Sequence, residues 1–193
     1  MLHEEARIIV RAWRGDRAAF ADLVERYWQR LFRWLFHLTR DRHAAEDLAQ
    51  ETFLRAFAHL NRFQPGTNFA AWIFRIAHNA FANQCRAARK REPLPEELYD
   101  RGPGPVEEAV SREGVEDVAR AVQQLPTDYR AALLLRVEEE LSFRQIADVL
   151  GLTEETARWR VFKARQKLVG LLAPDPEAVP PDGAAPERER GTP

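Results

Sequence analysis

An all-α chain of two helical parts is what this sequence predicts, on three observations. Apolar residues recur at helical spacing over long stretches, and no segment sustains the period-two alternation of a half-buried strand. Pro and Gly concentrate in two places: residues 92–111, with four Pro and two Gly, and residues 174–193, with six Pro. Charge is unevenly shared, with 16 Lys+Arg against 9 Asp+Glu in 1–91, one Arg against six acids in 92–111, ten against ten in 112–173 and two against five in 174–193. With 193 residues and 45% apolar composition, the chain can bury a core. The expected layout is a basic helical domain (1–91), an acidic linker (92–111), a second helical domain (112–173) and a disordered tail (174–193).

The elements follow in order. Asp16 can cap a helix that begins at Arg17, because its carboxylate accepts from N–H groups left free in the first turn. Phe20, Leu23, Val24, Tyr27, Leu31 and Leu35 then share one face. Asp41 can cap a second helix, in which Ala45, Leu48, Ala49, Thr52 and Ala56 form a stripe opposite an acidic face of Glu46, Asp47, Gln50 and Glu51. That acidic face is either solvated or a docking surface. A third helix follows the loop NRFQPGTN, with Phe69, Trp72, Ile73, Ile76, Ala77, Ala80 and Phe81 inward. It ends in Arg86, Arg89, Lys90 and Arg91, which can neutralise phosphates or complement a helix C-terminus. Phe63, Phe69 and Trp72 flank the loop. Such aromatics either fill a core or stack unpaired bases, and the residues alone leave both open.

The second part carries the clearest motif. Ser142 and Gln145 make a capping box before a short helix whose buried face is Phe143, Ile146, Ala147 and Leu150. Gly151 ends that helix as a residue that accepts positive φ. Thr153 caps the next helix, and Glu154 and Glu155 suit its positive N-terminus. Ala157, Val161, Ala164 and Leu168 line its inner face; Arg158, Arg160, Lys163, Arg165 and Lys167 make it basic. A short helix, a Gly turn and a basic second helix predict a helix-turn-helix that enters the major groove.

Composition also excludes. One Cys rules out a disulfide framework and a four-thiolate zinc site. No long uncharged apolar run suggests a membrane span, and MLHEEARIIVRAWRG lacks a signal-peptide core, so a cytoplasmic protein is expected. His3, His37, His43, His59 and His78 show no firm ligand spacing, and no Gly-rich phosphate loop is present. Neither a cofactor, a metal nor an enzymatic activity is expected.

AEDLAQETFLRAF (45–57), WIFRIAHNAF (72–81), the acidic Pro-rich linker and LPTDYRAALLLRVEEELSFRQIADVLGLTEETARWRVFKARQKL (125–168) together resemble the bacterial RNA polymerase sigma factors of the extracytoplasmic-function (ECF) group. The resemblance covers about residues 10–172. It implies a sigma-two-like and a sigma-four-like domain, and a function in binding core RNA polymerase, recognising promoter DNA and opening it. It implies docking on the polymerase clamp through Asp47, Leu48, Gln50, Glu51 and Leu54. It implies minus-ten contacts from Asn61, Arg62, Phe63, Asn68, Trp72, Arg75, His78, Asn79, Arg86 and Arg89, with a flipped base held near the 61–69 loop. It implies minus-thirty-five contacts from Thr153, Glu155, Arg158, Trp159, Arg160 and Lys163. The linker would thread the polymerase's basic channels, and an anti-sigma factor is an expected further partner. Three departures stand out, one of them the bulky Trp159, unusual at its position. Residues 155–160, Glu-Thr-Ala-Arg-Trp-Arg, replace a Gly-Thr-Val-Lys-Ser-Arg-like run, and Asn83 stands where many members have Asp. The competing expectation is a stand-alone helix-turn-helix regulator that binds a palindromic duplex without polymerase; the acidic docking face argues against it.

Overall fold

The computed structural model describes residues 2–91 and 113–173, so the expected linker and tail lie outside the described residues. Every regular element among the described residues is helical. The first group comprises α1 (Leu2–Trp13), α2 (Arg17–Thr39), α3 (Arg42–His59), a 3-10 turn (Leu60–Arg62) and α4 (Phe69–Arg91). The second comprises α5 (Glu113–Gln124), α6 (Thr127–Val137), α7 (Phe143–Leu150) and α8 (Glu154–Leu172).

Both expected caps are present. Asp16 accepts from Ala19 N at 3.1 Å, and Asp41 accepts from Ala44 N at 3.0 Å. Asp16 also takes Arg11 Nη2 at 2.6 Å, which ties the end of α1 to the start of α2. α2 runs through the middle of the group and buries Leu23, Leu31, Trp34 and Leu35. α3 meets it through Ala45, Ala49 and Ala56, whose small side chains permit a close approach. Thr52, buried among them, donates its hydroxyl to Leu48 O at 2.6 Å and so leaves no orphan polar atom there. α4 closes the layer with Ile73, Phe74 and Ala77.

Three helices had not been singled out from sequence. Among its described side chains α1 buries only Ile9 and Ala12 firmly, too narrow a stripe to stand out in a charged N-terminus. α6 is buried nearly all round from Arg130 to Leu135, so it lacks the one-sided pattern of a surface helix. α5 stands directly after the acidic stretch and shares its charge.

The inner faces of the two groups meet. Trp34 Nε1 donates to Ala131 O at 3.4 Å, and α7 lies against α4. Arg30 Nη2 pairs with Glu139 Oε2 at 2.5 Å; the Glu139 side chain is 2% exposed. Gln123 Nε2 lies 2.6 Å from His37 Nδ1, while Gln123 O accepts from both Arg40 and Arg130. Arg130 is itself fully buried and also donates to Leu125 O at 3.0 Å. A buried carboxylate such as Glu139 is tolerable only with its cation in place. His37 is held neutral: burial, then the cations Arg130 and Arg33, push its pKa down to about 4.

Candidate nucleic-acid and partner interfaces

The outer face of α3 comes first. Asp47 and Gln50 are exposed, Glu51 is half-buried and ion-paired with Arg55, and Leu54 stands 72% exposed. Leu48 is only 3% exposed: it turns inward and supports this face from beneath. The face is wider than the sequence suggested. Phe57, half exposed, meets Phe20 of α2 edge-on at 5.0 Å, and Trp28 stacks on Phe53 at 5.9 Å. Phe20, Val24 and Trp28 line an open groove along α2. Their spacing of four residues was the available signal. An apolar groove beside exposed carboxylates suits an amphipathic basic helix.

The second face lies at the start of α4. Asn68 Oδ1 accepts from Ala71 N at 3.1 Å and caps the helix. Phe63, Phe69 and Trp72 form a cluster with ring centroids 5.3–5.5 Å apart. Phe63 and Phe69 are buried, whereas Trp72 is half-buried and reaches the surface. There it lines a pocket with Arg55, His59, Arg62, Ile76 and Asn79. The pocket therefore gathers three residues expected at the minus-ten element, Arg62, Trp72 and Asn79, beside Arg55, His59 and Ile76, which the sequence does not assign to it. Arg55, His59 and Arg62 share one side because they are four and three residues apart. Asn61 and Arg75 are exposed. A half-exposed indole beside guanidinium groups can stack an unpaired base and hold its phosphate. Farther along α4, Arg86 Nη2 donates to Asn83 Oδ1 at 2.5 Å; the side chain of Arg89 lies outside the described residues.

His78 is elsewhere. It shares the inner phase of α4 with Phe74 and lies 6.5 Å from the Trp34 ring, at the meeting of the two groups. Burial lowers its pKa; Asp128 opposes that shift and Arg160 adds to it.

The third face is the helix-turn-helix, built as its sequence predicts. Ser142 N donates to Gln145 Oε1 at 2.8 Å, and Gln145 N donates to Ser142 Oγ at 3.2 Å. Gly151 sits at φ 67° and closes α7. Thr153 accepts from Thr156 N at 3.2 Å and caps α8. Ala157, Val161 and Ala164 seat α8 inward. On its outer side, Glu155, Arg158 and Trp159 are exposed. Arg158 pairs with Glu154 at 3.1 Å and stacks over the Phe143 ring at 4.9 Å; Arg136 covers the same ring at 5.2 Å. Lys163 donates to Gln166 Oε1 at 3.0 Å. Arg160 turns back to α6 and pairs with Asp128 at 2.8 Å. Trp159 meets Tyr129 edge-on, with centroids 5.7 Å apart and planes at 81°.

These faces can bind; the described residues hold no cluster of His, Cys, Asp and Glu suited to a metal ion, and no helix among them is long and apolar enough to cross a membrane. The family described as Sigma-70 region 2 matches residues 23–91, and Sigma-70, region 4 matches residues 116–168. The chain is 39% identical over 169 residues to the ECF RNA polymerase sigma factor SigE of Mycolicibacterium smegmatis, covering 82% of this chain and 65% of that protein. It is 32% identical over 183 residues to the RNA polymerase sigma-H factor of Pseudomonas aeruginosa, covering 89% of this chain and 95% of that one. Among solved structures it resembles CnrH in complex with the cytosolic domain of CnrY, at TM-score 0.63 and 26% identity over 87% of this chain and 96% of that one. It also resembles the sigma factor RpoE of Bartonella quintana in complex with the anti-sigma factor NepR, at TM-score 0.69 and 26% identity over 81% and 98%.

Proposed function

The chain belongs to the ECF group of RNA polymerase sigma factors, and on that premise we propose that it binds core RNA polymerase, recognises two promoter elements and promotes strand opening. It acts by binding, with no bond chemistry of its own, on polymerase in the cytoplasm. Residues 1–91 and 112–173 serve as its sigma-two-like and sigma-four-like units, joined by 92–111 and followed by the tail 174–193.

The observation that carries this reading is that one chain has two surfaces whose shape and chemistry suit nucleic acid in two different forms. The capped α8 has the shape and charge to read a duplex groove. The Trp72 pocket with its arginines has the chemistry to hold an unpaired base. A protein that opens DNA needs both. Asp47, Gln50, Glu51 and Leu54, supported by Leu48, dock the polymerase clamp. Asn61, Arg62, Phe63, Asn68, Trp72, Arg75, Asn79, Arg86 and Arg89 serve the minus-ten element. Thr153, Glu155, Arg158, Trp159 and Lys163 serve the minus-thirty-five element. His78 reaches DNA once the two groups of helices part, and Arg160 once its pair with Asp128 on α6 opens. An anti-sigma factor is a further partner; the structures of the two solved relatives, each bound to a second protein, support this.

Run-off transcription with core polymerase on fragments of the source genome tests the reading. Discrete transcripts that depend on the added protein are expected. Duplex binding without any new transcript would overturn it in favour of a stand-alone regulator.

A further inference from the structure

Resting on the reading above, we propose that Trp159 is a specificity-determining residue that reads the C5-methyl group of a thymine in the upstream promoter element. Two cations in the first half of α8, Arg158 and Arg160, have partners within the protein. Arg158 is held between the Glu154 carboxylate and the Phe143 ring. Arg160 is drawn to Asp128 with its side chain 21% exposed. An arginine reading guanine needs its planar fork presented to the O6 and N7 edge. Arg160 is not presented in that way, and Arg158, 63% exposed, presents its fork only on leaving Glu154.

Trp159 is presented. It is 48% exposed, two residues past the inward Ala157 and two before the inward Val161, so it projects from the side of α8 opposite the core. It is the bulkiest group there, in the first two turns of the helix, where a recognition helix meets base edges. It is also braced: Tyr129 on α6 holds the indole edge-on. A braced aromatic loses little side-chain entropy on contact. Among base-pair edges in the major groove, only thymine displays an apolar group, its methyl. An indole on that face therefore favours thymine through apolar contact and has no acceptor to offer a cytosine amine.

The test uses the full chain with core polymerase. The upstream element is first selected from a randomised library, then each thymine is replaced singly by deoxyuracil, which removes only the methyl. One position is expected to lose about fourfold in promoter binding, the worth of one methyl-sized group. Putting 5-methylcytosine there should bind better than cytosine. With Trp159→Ala, thymine and deoxyuracil at that position should bind equally. If wild-type protein shows no methyl-sensitive position, the proposal is overturned without recourse to any variant. If Trp159→Ala weakens every template alike and keeps the methyl preference, Trp159 only packs against Tyr129 and the proposal fails. Absence of promoter binding to any template would instead defeat the sigma-factor reading, and this proposal with it.

Discussion

Gly151 makes the turn between α7 and α8 at φ 67°, and no heavy atom stands within 4 Å of where a Cβ would sit. The cost of Gly151→Ala is then backbone strain alone, about 1 kcal/mol. Urea unfolding followed by circular dichroism measures it, and an unchanged midpoint would show that the left-handed turn is dispensable. Asp47→Lys makes the complementary prediction for binding. The residue is exposed on the face proposed to dock polymerase, so its charge reversal should abolish co-purification with core polymerase and leave the unfolding free energy within about 0.5 kcal/mol of wild type. At this scale the sequence was most legible where one side chain satisfies a local backbone rule. Asp16, Asp41, Ser142, Gly151 and Thr153 all do in the structure what their positions predict. It was least legible for Phe63, where the path of the loop, not residue type, decides that the ring turns inward.

Helices differ in how plainly they announce themselves. α2 and α4 bury one face and expose the other, so their period is visible. α6 is surrounded, and its importance lies in what it brings to the junction: Asp128, Arg130 and the Ala131 carbonyl. The pairing of α2 with α5 and α6 could not be read from periodicity, because it depends on which side chains of different helices meet. It has a pH signature. His37 is neutral where it meets Gln123, and Arg130 and Arg33 repel a proton there. Its pKa is about 4 in the packed form against a reference value of 6.5. The contact is therefore fully favourable above pH 6.5 and weakens as pH falls from there toward about 4. Following the His37 ring proton by NMR as pH is lowered should show this low titration, and His37→Gln should flatten the pH dependence of the junction. A ring titrating near 6.5 would mean that the imidazole stays in water.

Across the whole molecule, the sequence revealed two helical parts and their charge contrast, and the structure adds that the parts share a packed junction. Arg30 and Glu139 lie 109 residues apart in the chain, a separation that no local pattern connects. Arg30→Met leaves the Glu139 carboxylate buried without its cation, which should cost the junction about 3 kcal/mol. Trp34 reports on that junction because its indole donates to α6. With Trp34 kept as the single tryptophan, urea unfolding should show its fluorescence changing before helix content in Arg30→Met, and together with it when Arg30 is retained. Coincident transitions in the variant would mean that the pair contributes little to holding the halves together.

The Asp128–Arg160 contact has a consequence of another kind. A carboxylate held 2.8 Å from a guanidinium is a built-in counterion. Any phosphate that is to occupy Arg160 must first displace it, so the exchange releases an aspartate of the protein itself in place of a salt ion from solution. That tax falls on every stretch of DNA alike. It matters most for the roughly million or more unintended sites of a genome, which have little beyond backbone charge to set against it. A promoter brings further contacts that can meet the cost. An acid in α6 would thereby weaken, by up to about 1 kcal/mol, a backbone contact that carries no sequence information.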